Sequence, residues 1–423
     1  MSASMGHGVS RRRFLWGLGM SVTAVACTNG TTITTFGSTT TTSPTTTTPP
    51  PGTLGARNGR TLVIVELGGG NDGLNTVVPH ADPAYRALRP DLGIDDPLDL
   101  DGEIGLHPSL ARLAERYEKG QMAIVEGVGV PNPSLSHFES MDRWWTADGG
   151  AEGSGWLGRW LDGTVGFEDP TAAVSIGPGP SRALLGTGSY SVAIQGADGL
   201  TPDVPGWIDD ADELMASWRG FVPALQGDVG PVAEVRTAIE ATLEAKEDLG
   251  VLLGDETGRP GRPLPGFADQ LEVAATLATS SAPPSILFVH GAGDFDTHQR
   301  QDTRHAELLG EVDGAIGDFL DTIEAAGRLD DVTLMTTSEF GRRAGENGDG
   351  TDHGTAAPNL LLGGGVAGGR HGQSPSLTAL DSSGNLRHTV DFRSVYASVL
   401  SQWLEADDEE ILGGSWEQLG LFA

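Results

Sequence analysis

The stretch SILFVHGAGDFDTHQR, Ser285 to Arg300, carries an apolar run into a glycine turn and then into two aspartates and a histidine. Ile286 to Val289 are consecutively apolar, with Pro283 and Pro284 before them and Gly291 after, as expected of a short strand buried on both faces. A helix is expected from about Gln301 to Ala326, and VTLMTTS, residues 332–338, is a second apolar strand. Strand, helix and strand in that order make a crossover unit, which favours a parallel sheet.

The same alternation extends outward in both directions. TLVIVEL (61–67), QMAIVEGVG (121–129) and PNLLLGGG (358–365) have strand character. Helical spacing is expected over LHPSLARLAERYEKG (106–120), SHFESMDRWWTA (136–147), VRTAIEATLEAKEDLGVLL (235–253) and DFRSVYASVLSQWL (391–404). Residues 150–285 are richer in Gly and Pro and weaker in pattern. The fold class is therefore α/β, with a largely parallel central sheet and helices on both faces.

In such a sheet, ligands bind in the crevice beyond the carboxyl ends of the strands. Four polar loops fall there: GGGND, PNPSLSHFES, GDFDTH, and EFGRR with GTDHGT. Gly68 to Gly73 matches G-x-G-x-x-G by letter, but the following LNTVVPHADP is broken by proline and does not open a helix, so a dinucleotide reading fails. The turn instead lets the backbone approach something closely, with Asp72 capping it or reaching a metal. Asp296 with His298, and Asp352 with His353, supply oxygen and imidazole ligands of the kind used by Zn²⁺ or Mn²⁺, with Ca²⁺ or Mg²⁺ as harder alternatives. Ser136 opens S-H-F-E, a capping box with Glu139, yet a helix N-terminus also suits a nucleophile or an anion. Ser134 competes with it. Arg342, Arg159 and His137 are the candidates for holding an anionic substrate.

The chain has 423 residues and a formal net charge of −32, which excludes nucleic acid and anionic membrane surfaces as natural partners. Residues 1–30 are expected to be a twin-arginine export signal, with Arg11 to Arg13 ahead of a short apolar run. Ala24 to Ala26 before Cys27, the single cysteine, resemble a lipobox, so the membrane contact expected is an N-terminal lipid anchor. Thr/Pro-rich sequence over 31–59 makes an extended linker, and one domain is expected over 60–423. These features imply an extracytoplasmic, cell-surface or secreted protein.

The motifs LVIVELGGGNDGLN, LHPSL, SLSHFES, GDFDTH, TSEFGR, DHGTAAPNLLLGG and DFRSVYASVL together resemble the bacterial family called domain of unknown function 1501. The match covers nearly all of residues 60–405. That family is grouped with the alkaline phosphatase and sulfatase superfamily. The resemblance implies an alkaline phosphatase-like three-layer sandwich and a metal-dependent hydrolase of phosphate or sulfate esters, acting on a small anionic ester or a surface glycan. It implies Asp296, His298 and His353 as ligands, Asp72 or Glu66 as the first acidic ligand, and Ser136 as the nucleophile. Glu339 keeps a carboxylate at a position where Phe340 replaces an imidazole, which points to one metal or none. The alternative is a non-catalytic surface binding or assembly protein on the same scaffold.

Overall fold

The computed structural model describes residues 58–147, 153–194, 211–225, 231–253 and 266–423. The export signal, Cys27 and nearly all of the Thr/Pro linker lie outside the described residues. No helix among the described residues is long and apolar enough to cross a membrane.

The sheet grows from the two strands of the crossover unit. The strands in chain order are β1 (Thr61–Glu66), β2 (Val77–Val78), β3 (Leu98–Asp99), β4 (Gly105–Leu106), β5 (Met122–Gly129), β6 (Ala173–Ile176), β7 (Val192–Ile194), β8 (Ile286–Val289), β9 (Val332–Thr337), β10 (Ala357–Leu362), β11 (Gly369–Gly372) and β12 (Val390–Asp391). The main sheet has the order β11-β5-β10-β9-β1-β8-β6-β7, with β12 also on β5, while β2, β4 and β3 form a small separate sheet. β1 pairs in parallel with β8 and β9, Val63 lying opposite Leu287 on one side and Leu334 on the other. β10 alone runs antiparallel, against β5 and β9. The Gln301–Ala325 helix carries the chain from β8 to β9 over the sheet, whereas the neighbouring interior strands β9 and β10 are joined through a helix-free loop at the strand ends, which reverses the strand.

Alternation along β1 explains the layers. Val63, Val65 and Leu67 face one core with the Phe267–Ala278 and Gln301–Ala325 helices. Leu62 and Ile64 face a second core with the Trp156–Thr164 and Phe392–Ser398 helices. A sheet covered on both faces needs apolar side chains on both, hence the unbroken apolar runs. Each fully buried Val or Leu contributes roughly 1.5–3 kcal/mol.

Three elements differ from the sequence expectation. The helix expected from residue 106 begins at Ala111, because Leu106 is drawn into β4 opposite Val77 and Leu98. The last long helix is α-helical only over Phe392–Ser398 and continues as a π turn over Val399–Trp403. The LNTVV stretch makes one short helical turn, Gly73–Thr76, before β2.

Candidate metal centre

The loop after β8 carries Asp296 and His298, and residues flanking it hold left-handed backbone conformations: Asp294 at φ 73° and Arg300 at φ 50°. Non-glycine residues adopt that region at a cost, and such positions concentrate where geometry is imposed. The glycine turn after β1 packs directly on this loop. A Cβ on Gly69, at φ +115°, would stand 2.5 Å from the Asp296 nitrogen. One on Gly70, at φ +79°, would meet the Phe340 ring at 2.4 Å. The turn thus serves close backbone approach, as its sequence suggested.

Three imidazoles and one carboxylate converge above this turn. His353 Nε2 lies 3.0 Å from Asp296 Oδ1, and His298 Nε2 lies 3.1 Å from the same oxygen. The two Nε2 atoms are 3.0 Å apart. His137 Nε2 approaches Asp296 Oδ2 at 3.6 Å, and His137, Asp296 and His353 present ligand atoms within 4.8 Å of one another. The Arg342–His353 bridge seats the last histidine.

Two of the imidazoles, His137 and His353, are backed on the other nitrogen. His137 Nδ1 lies 2.7 Å from Glu339 Oε1, and His353 Nδ1 lies 2.9 Å from the Leu135 carbonyl. His298 Nδ1 faces Asp352 Oδ1 at 3.7 Å. An acceptor at Nδ1 holds the proton there, so in the neutral ring the Nε2 lone pair points inward. This is the outer-shell pattern of metal-binding histidines.

Unprotonated Nε2 atoms facing a carboxylate oxygen at 3.0 Å repel unless a proton or a cation lies between them. Ligand atoms spaced 3.0–3.1 Å apart suit a Zn²⁺-like ion. Asp296 Oδ1, His298 Nε2 and His353 Nε2, with His137 Nε2 beside them, are the atoms that would hold it. The residues therefore fit a divalent metal. Burial lowers His298 below the usual imidazole range, which favours the neutral ligand form. Burial raises the Asp296 carboxyl, but the hydrogen bond and positive charge of Arg342, with its histidine neighbours, outweigh it and hold the group below its ordinary value.

The other expected site residues take different places. Glu339 Oε1 accepts from Gly69 N at 2.8 Å as well as facing His137, so it orients that imidazole. Asp352, bonded by Asn347, stands behind His298. Asp72 is fully buried against Arg89, with Oδ2 2.6 Å from Nη1, and Gln301 also donates to it; it takes no part in the cluster. Arg342 is 1% exposed and donates to the carbonyls of Gly69, Gly70, Phe295 and Thr351 and to Asp296, tying three loops together. Arg159 donates to the carbonyls of Thr146, Ser154 and Ile411, away from the cluster, and burial lowers its pKa to about 10.

Ser136 is the N-cap of the His137–Thr146 helix and is exposed, and its side chain makes no cap hydrogen bond. The expected capping box is displaced by two residues. Ser134 Oγ donates to Glu139 Oε2 at 2.8 Å and accepts from Ser136 N at 3.2 Å. Ser136 is bracketed by Leu135, whose carbonyl backs His353, and by His137 of the cluster.

The sequence alone did not place His137 in this cluster or foresee the part of the Leu135 carbonyl. Glu66 also stands out: its Oε1 accepts from Trp145 Nε1 at 2.8 Å, and burial with the nearby Glu339 charge raises its pKa to about 7.

Comparison with known proteins agrees with the motif content. Residues 107–402 match the family model described as "Protein of unknown function (DUF1501)". The chain belongs to this family. No curated protein matches it. Among solved structures, a Vibrio parahaemolyticus protein in the alkaline phosphatase superfamily is 10% identical with a TM-score of 0.37, over 96% of this chain and 78% of that one. The Escherichia coli EcEptC C-terminal periplasmic domain, in complex with Zn, is 10% identical with a TM-score of 0.39, over 87% of each chain. The PsFucS1 sulfatase from Pseudoalteromonas sp. is 10% identical with a TM-score of 0.36, over 86% of this chain and 72% of that one. Likeness at this level carries no argument about chemistry.

Proposed function

We propose that this DUF1501 protein is a metal-dependent hydrolase of phosphate or sulfate esters that works outside the cytoplasm. One observation carries the reading: Asp296 Oδ1, His298 Nε2 and His353 Nε2 form a triangle with 3.0–3.1 Å edges, with His353 backed at Nδ1 by the Leu135 carbonyl. A bound divalent ion would polarise the ester's non-bridging oxygens and supply positive charge as negative charge develops. The N-terminus of the ten-residue His137–Thr146 helix adds its partial positive charge on the same side, which suits an anionic ester. Ser136 has an exposed hydroxyl at that terminus and is the candidate nucleophile. Arg342 and Glu339 keep Asp296 and His137 in place, and a small ester or a glycan-borne ester is the substrate class.

The test uses folded full-length protein supplied with Zn²⁺ or Mn²⁺ and the 4-nitrophenyl phosphate and sulfate esters. Turnover that requires metal and is lost in His353→Ala supports the reading; absence of turnover with every metal overturns it. Placement outside the cytoplasm rests on the Arg11–Arg13 signal and Cys27. Fractionation of Cys27→Ala tests it, since a variant as membrane-bound as the parent removes the lipid anchor.

A second reading, a binding protein without turnover, is favoured by Phe340. Its ring packs 4.6 Å from His353 and 4.9 Å from His137, walling the side where a further imidazole would extend the cluster. Stoichiometric metal without ester turnover is its signature.

A further inference from the structure

A cavity of about 320 Å³ lies outside the metal centre, between the Gly73–Thr76 turn, the small sheet, the start of β10 and the loop carrying Ser374 to Leu377. That volume is at the lower end of small-molecule sites. Its walls are mainly apolar: Leu74, Val77, Ile104, Ala357, Leu377 and Leu386 line it. None of the three triangle residues reaches it.

The charged groups of the pocket are mostly carboxylates. Arg370 is the single cationic residue in the lining, and carboxylates and a hydroxyl occupy its guanidinium. Nη1 meets Asp101 at 3.0 Å and Glu103 at 2.7 Å, Nε meets Glu126 at 3.0 Å, and Nη2 meets Ser374 at 3.0 Å. Against this one guanidinium the lining sets three carboxylates, Asp82, Glu103 and Glu126, and Asp101 pairs with it from outside the pocket. The Ala81 nitrogen donates to the Glu103 carbonyl at 3.2 Å, so Asp82 and Glu103, both exposed, flank the mouth together. Asp82 uses Oδ1 to cap the following helix at Ala84. An anion entering here meets a saturated arginine and an acidic rim, in a chain of net charge −32.

We propose that this pocket binds a small apolar molecule carrying one positive charge, an aryl- or alkylammonium ion, with the apolar body among Leu74, Ile104 and Leu377 and the ammonium between Asp82 and Glu103. The apolar walls supply affinity by excluding water, and the rim carboxylates select the sign of charge. This site is independent of the ester reading, since its residues share nothing with the metal ligands.

The test is a fluorescence titration of the full chain, with divalent metal supplied, using three probes of one shape: 1-naphthylmethylammonium, 1-naphthylmethanol and 1-naphthoate. The ammonium is expected to bind saturably and about three- to tenfold tighter than the alcohol, as suits two exposed carboxylates, and naphthoate weakest. Glu103→Gln with Asp82→Asn should bring the ammonium down to the alcohol's affinity. Ala81→Trp, at an exposed lining position, should block all three without disturbing the fold. Equal affinity for the ammonium and naphthoate, or binding unchanged in Ala81→Trp, overturns the proposal. So does failure of every probe to bind.

Discussion

The Nε2 atoms of His298 and His353 lie 3.0 Å apart although 55 residues separate them in the chain. Two imidazole lone pairs at that distance demand a proton or a cation between them, and Asp296 Oδ1 closes the triangle. Chelator-treated protein should therefore gain thermal stability on adding Zn²⁺ or Mn²⁺ at one equivalent. His298→Ala or His353→Ala should weaken metal affinity by tenfold or more, and Asp352→Ala less, since it acts through His298. Elemental analysis and melting curves check this, and a melting temperature indifferent to metal refutes it.

The two serines before the His137 helix separate by function. Ser134 holds the helix start through Glu139 and Ser136 N, so Ser134→Ala should cost about 0.5–2 kcal/mol of stability and spare turnover. Ser136, whose side chain does not cap, should tolerate glycine with a loss of only a few tenths of a kcal/mol, on the order of measurement error. If Ser136 is the nucleophile, Ser136→Gly abolishes ester turnover. A variant that keeps the parent's rate makes metal-activated water the attacking group.

Much of this was legible beforehand for a physical reason. Strands buried on both faces are largely apolar, so β1, β5, β8, β9 and β10 announce themselves, and the polar loops follow at their ends. Asp296, His298 and His353 were singled out because short Asp/His pairs are visible locally, and the structure brings the three together. Asp72 misled because a carboxylate after a glycine turn looks the same whether it meets a metal or, as here, Arg89 seventeen residues on. Arg342 misled likewise, since sequence cannot tell a guanidinium offered to substrate from one consumed by backbone carbonyls. His137 was read as a substrate contact because its place depends on how the helix crosses the sheet, which sets Trp144 on the Glu339 carbonyl and His137 on its carboxylate.

Glu66 should give stability a pH dependence of its own. Its pKa rises from 4.5 to about 7 through burial, opposed by the Trp145 hydrogen bond and helped by Glu339. The folded state therefore holds the proton more tightly than the unfolded state. The associated stability is fully present below pH 4.5 and is lost as pH rises through about 7. Glu66→Gln keeps an acceptor for Trp145 without the charge. Relative to the parent it should gain on the order of 2 kcal/mol between pH 5 and pH 8. Urea midpoints at the two pH values measure this, and parallel curves for parent and variant refute it.

Asp72 and Arg89 form a pair with side chains 1% and 0% exposed, joined at 2.6 Å and 3.1 Å, with Arg89 also donating to the Ala344 and Arg343 carbonyls. Burial raises the Asp72 carboxyl, but the guanidinium overrides it and the pKa lies below its ordinary value. Removing one partner leaves a buried unpaired charge, so Asp72→Ala should destabilise by about 3–5 kcal/mol. Replacing both, as in Asp72→Ala with Arg89→Met, should recover part of that loss, because no charge is stranded. Metal affinity distinguishes this role from ligation. A ligand's loss would weaken binding by tenfold or more, whereas Asp72 stands outside the triangle and its removal should leave the dissociation constant within about threefold in the fraction that stays folded. Calorimetric titration of Asp72→Ala below its melting temperature decides the matter, and a tenfold weakening would return Asp72 to the metal centre.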